Sequence, residues 1–98
     1  MNQISASELK EWIEKTVEFT LIDVREPYER EEFNIGGLHI PLNELMQNIS
    51  SIPANKPTVI YCAKGIRSAI AIQRLEALGY QNLYNLAGGI YALRQLNR

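Results

Sequence analysis

Cysteine is almost missing from this chain: among 98 residues there is one, Cys62, alongside one histidine, His39, and one tryptophan, Trp12. A lone cysteine makes no intramolecular disulfide, and no His or Cys cluster suggests a metal. Neither sign of charge is in excess, because ten Lys+Arg face eleven Asp+Glu for a net charge of -1. Without a basic field nothing holds nucleic acid or anionic lipid non-specifically, so any positive site has to be local. Long apolar runs are lacking too. No segment approaches the ~20 residues of a membrane helix, and "MNQISASELKEWIEK" lacks the charged-then-apolar order of a signal peptide. These absences lead to the expectation of a reduced, cytoplasmic protein with neither nucleic acid nor membrane among its partners.

What the sequence does contain is alternation. With 46% hydrophobic residues in so short a chain, one compact domain is expected. "QIS" reads as a short edge strand. Ser5 and Glu8 have capping-box spacing, and Leu9, Trp12 and Ile13 then share one face of a helix from about Ala6 to Lys15. "FTLIDV" has the unbroken apolar character of a strand covered on both faces, "LHI" is a shorter strand, and a helical turn follows from Leu42 to Asn48. "PTVIYC" is the clearest buried strand, and it stops at Cys62. From Ser68 to Leu78 the period turns helical, with Ala71, Ile72, Leu75 and Leu78 on the core face and Gly79 as the stop. "NLYNLAGG" gives a last strand and "IYALRQLN" a closing helix. Strands alternating with helices predict an α/β fold with a parallel sheet covered on both faces, in which ligands bind at the carboxyl ends of strands. Cys62 is at such an end.

The loop after it, "CAKGIR", runs from strand end to helix start, and Gly65 permits backbone geometry that a β-carbon would obstruct. Amides of this turn, the helix dipole and the cations Lys64 and Arg67 all favour negative charge at the loop centre. A thiolate is such a charge. Cysteines in this setting ionise well below the usual value of about 8.5, so Cys62 is expected to be largely thiolate at neutral pH. A lone cysteine ending an apolar strand is usually inert core; Gly65, Arg67 and the helix start tilt the balance towards a nucleophile in an oxyanion-type site, without specifying one reaction.

At these residues the chain resembles the single-domain rhodaneses, sulfurtransferases whose loop commonly reads C-x-x-G-x-R-S, matched by Cys62, Gly65, Arg67 and Ser68. "LIDVREPYEREEF" is similar to the family's first block through Asp23, Arg25, Glu26 and Glu29, and "GYQNLYNLAGGIYAL" to its closing block. The resemblance implies one rhodanese domain over residues 1–98, with a central five-stranded parallel sheet flanked by helices on both faces. It also implies a persulfide on Cys62 as catalytic residue, and substrate binding by Ala63, Lys64, Gly65, Ile66, Arg67 and Ser68, with Lys64 and Arg67 attracting an anionic donor such as thiosulfate. The acceptor would be cyanide, a thiol or a protein, the donor a small molecule or a protein, and no cofactor is required. One departure is the stretch "EFNIGGLHIP", Glu32 to Pro41, about four residues shorter than the family's usual turn.

Loop length separates this reading from its nearest rival. Cysteine phosphatases of the same fold, the less favoured alternative together with arsenate reductases, space the two residues as C-x5-R, whereas here Arg67 follows Cys62 as C-x4-R, a smaller ring suited to a terminal sulfur. A sulfur-carrier or interaction module serving a protein partner is the other alternative. Asp23 is expected to accept hydrogen bonds from neighbouring loop amides and Arg25 to pair with Glu26 or Glu29, as structural support. His39, in an apolar strand, is read as structural, and Trp12, Tyr61, Tyr84 and Tyr91 as core-flanking rather than stacking residues.

Overall fold

The computed structural model describes residues 1–96. Five parallel strands form one sheet in the order β1-β5-β4-β2-β3: β1 is Asn2–Ile4, β2 Thr20–Asp23, β3 Leu38–His39, β4 Thr58–Tyr61 and β5 Leu83–Leu86. Parallel neighbours cannot be joined by tight turns, so α1 over Ala6–Glu14, α2 over Pro27–Glu32 and α3 over Ile66–Glu76 lie in the connections between strands, and α4 over Gly89–Gln95 follows β5. Short 3-10 turns at Leu42–Glu44 and Met46–Ser51 occupy the place of the expected helical turn.

The capping box at α1 is formed: the Ser5 amide donates to Glu8 Oε1 at 2.9 Å and the Glu8 amide to Ser5 Oγ at 3.0 Å. All of β4 is buried, and its side chains alternate between two cores. Ile60 and Cys62 face the cluster containing Ala71, Ile72 and Leu75 of α3, whereas Val59 and Tyr61 face the one containing Leu9 of α1 and Ile90 of α4. That alternation decides on which side of the sheet the thiol emerges.

The structure revises three details. α2 was not foreseen, although Pro27 at its first turn and the Glu26 amide donating to Glu29 Oε1 at 3.0 Å are ordinary start signals. α3 begins at Ile66, ahead of the expected Ser68, because Gly65 caps it with φ of 98°. Ile13, Leu78 and Tyr91 lie outside the core, 52%, 55% and 59% exposed, since each falls at the margin of its helix's apolar stripe or beyond the helix end. The closing helix is observed to Gln95; the expected Asn97 lies outside the described residues.

Candidate functional site

β4 carries Cys62 to the floor of the loop that leads into α3, where the residue is only 1% exposed. The Gly65 amide donates to Cys62 Sγ at 3.1 Å and the Ser68 amide at 3.3 Å, with Ser68 Oγ also 3.3 Å from the sulfur. Burial pushes the thiol up. Hydrogen bonds from the Ser68 side chain and from the amides of Ser68, Gly65 and Lys64 more than offset it, so the pKa is lowered from its usual value.

The amides turn inward because the loop carbonyls are tied elsewhere. The Ile90 amide donates to Cys62 O at 3.0 Å and the Tyr91 amide to Ala63 O at 2.9 Å, so the first turn of α4 holds the start of the loop. Asn85 Nδ2, from β5, donates to Gly65 O at 3.1 Å. This close approach demands Gly89: with φ of 60°, a β-carbon there would lie 2.5 Å from both Cys62 O and Ala63 O. Ile66 is 71% exposed.

Of the two cations expected to draw in an anion, Arg67 is paired with a carboxylate and Lys64 lines the cleft beside the loop. Arg67 donates to both oxygens of Glu29, Nη1 at 2.7 Å and Nη2 at 2.9 Å, and the guanidinium holds that carboxyl down at about 2. Lys64 lies with Nζ 5.8 Å from the centre of the Tyr91 ring. The expected pairing of Arg25 with Glu26 or Glu29 is also corrected. Arg25 forms a fork with Asp23 instead, Nε to Oδ1 and Nη2 to Oδ2 both at 3.0 Å, and reaches Phe33 O at 2.7 Å. Adjacency on the strand end explains it: Asp23 also accepts the Arg25 amide at 3.0 Å, as anticipated for a loop amide, and Arg30 Nη1 at 3.3 Å. His39 Nε2 donates to Arg25 O at 2.8 Å, a structural bond away from the sulfur.

A cleft of about 760 Å³ opens beside Ala63 and Lys64, with Arg25, Glu29, Glu32, Tyr91 and Arg94 among its walls. A smaller one of about 390 Å³ borders Arg67, Glu26 and Arg74. The Glu29–Arg67 pair therefore joins residues of two clefts. The structure thus places Ala63 to Ser68 in the loop after Cys62, and joins Asp23 to Arg25, which also lines the larger cleft. Sequence reasoning missed Asn85 and the tie between Glu29 and Arg67. Asn85 stood inside a matched block, but only its burial, 4% exposed, marks it out; Glu29 and Arg67 are 38 positions apart.

The model of the rhodanese-like domain matches residues 5–96. The chain belongs to this family. Among its relatives, the rhodanese-like chain is 34% identical over 93 residues to a sulfurtransferase of Allochromatium vinosum, a match covering 94% of this chain and 87% of that one. It is 32% identical over 92 residues to the probable adenylyltransferase/sulfurtransferase MoeZ of Mycobacterium tuberculosis, covering 91% of this chain but 24% of MoeZ. The chain thus spans about a quarter of that relative's length. A crystal structure of a rhodanese-related protein from Thermoplasma volcanium superposes with a TM-score of 0.85 at 32% identity, covering 98% of this chain and 93% of that one. The rhodanese-like fold expected from the sequence, a five-stranded parallel sheet with helices on its faces, is the fold observed.

Proposed function

We propose that this chain, read as one rhodanese domain, moves sulfane sulfur through a persulfide on Cys62. Sulfur transfer as the general chemistry is supported by the family and by the relative named a sulfurtransferase. The observation that carries the finer reading is the convergence of the Gly65 and Ser68 amides on Cys62 Sγ. Such donors hold a thiolate in the resting state and, after transfer, the negative charge on the outer sulfur of a persulfide. The thiolate attacks the sulfane sulfur of a donor, which leaves as sulfite in the case of thiosulfate; an acceptor such as cyanide or a thiol then takes that sulfur and returns the thiolate. Ala63, Lys64, Gly65, Ile66, Arg67 and Ser68 form the binding loop. Because Cys62 lies at the loop floor, a donor has to present its sulfur end-on. The C-x4-R ring favours this over ester hydrolysis by the wider phosphatase loop. A free thiol that must stay reduced fits the cytoplasm.

A second reading, a module exchanging sulfur with a protein partner, is supported by the match to a quarter of the larger MoeZ chain. Intact mass after incubation with thiosulfate tests the main proposal. Wild type should gain one sulfur atom and lose it to cyanide, whereas Cys62→Ser should gain nothing; an equal gain by the serine variant would sink it.

A further inference from the structure

Resting on that reading, we propose that Glu29 is a specificity-determining residue: by meeting the charge of Arg67 beside the loop, it selects a persulfide donor over a dianionic one such as thiosulfate. The pair is bidentate, with both terminal nitrogens of Arg67 committed, at 2.7 and 2.9 Å. Glu29 is also held independently of Arg67, because its Oε1 accepts the Glu26 amide at 3.0 Å in the first turn of α2. The carboxylate faces the larger cleft beside the loop, and Glu32 adds a second negative group there. Around the larger cleft Arg25 and Arg30 lie on Asp23, Lys64 lies over Tyr91, and Arg94 over Phe33 at 4.6 Å, while Arg74 borders the smaller cleft with Arg67. A dianion arriving at this mouth therefore meets an arginine already matched and a carboxylate that repels it. A persulfide meets a smaller penalty, since it carries at most one negative charge at the reacting end and none in the protonated form that reacts.

The step balances with no further reactant. The Cys62 thiolate attacks the outer sulfur of R–S–SH, the donor's S–S bond breaks, and R–S⁻ departs and takes up the proton, leaving Cys62–S–S⁻ and R–SH.

The test compares rates of persulfide formation on Cys62, read by quenched intact mass, from thiosulfate and from the persulfide of N-acetylcysteamine, an uncharged thiol. Glu29→Gln keeps the shape and an oxygen for the Glu26 amide while removing the charge. It should raise the thiosulfate-to-persulfide rate ratio about tenfold at low salt, as expected for one charge acting on a dianion across a few ångströms of solvated surface, and by less in high salt. In the double variant Glu29→Gln with Arg67→Gln, the ratio should return to within about threefold of wild type, because the local net charge is restored. A ratio that Glu29→Gln moves by less than about twofold overturns the inference, as does a double variant that keeps the raised ratio. Those outcomes leave sulfur transfer standing. Failure of wild type to load from either donor would remove the transfer reading itself, and this inference with it.

Discussion

Ser68 Oγ donates to Asn85 Oδ1 at 2.5 Å while lying 3.3 Å from Cys62 Sγ, so one hydroxyl joins β5 to the sulfur at the end of β4. Ser68 has a single proton to give, and the same oxygen can accept from a thiol or, rotated, donate to a thiolate. Asn85 completes the arrangement through its Nδ2 on Gly65 O, which fixes the loop from outside.

Ionisation of Cys62 follows from these contacts. Alkylation by iodoacetamide measured against pH should show a midpoint below the free-cysteine value of about 8.5, because hydrogen bonds from Ser68, Gly65 and Lys64 outweigh burial. Ser68→Ala should move the midpoint up by removing the hydroxyl that turns from Asn85 Oδ1 to donate to the thiolate. Since the folded pKa is depressed, the associated stability is fully present above the unfolded value of about 8.5 and is lost as pH falls through the folded value. Wild type should therefore gain stability relative to Cys62→Ser as pH rises through that window, measured by urea unfolding at stepped pH. A midpoint at or above the free-cysteine value contradicts the activation argument.

Removing the Asn85 side chain leaves Ser68 Oγ and Gly65 O short of a partner in a buried setting. Asn85→Ala should cost about 1–3 kcal/mol, read as a lower urea midpoint with unchanged m-value. A loss within the ~0.5 kcal/mol typical of surface changes would mean that the loop is held without Asn85.

Asp23 is fully buried and faces two guanidinium groups, one of them on Arg25 at 4% exposure. Asp23→Ala strands the Arg25 charge and should cost about 3–5 kcal/mol, whereas Asp23→Asn, which keeps an acceptor, should cost less. Equal losses in the two variants would show that the lost charge, common to both, rather than the acceptor and volume that Asn keeps, sets the cost.

The sequence by itself determined the order of elements, α2 excepted, and the place of the sulfur. Apolar runs without polar alternation mark strands buried on both faces, and Ser5 with Glu8 marks a helix start, because these features depend on neighbours in the chain. The C-x4-R spacing with Gly65 announced a strand-end loop around a nucleophile for the same reason. Tertiary structure decided what the charged groups do. Arg67 and Glu29 lie 38 residues apart and meet only because α2 packs beside the start of α3, and Asn85 reaches Gly65 because β5 pairs with β4. A guanidinium looks the same in the sequence whether it awaits a substrate or is already matched by a carboxylate. Electrostatics act through space, so the difference appears only when the fold sets the distances.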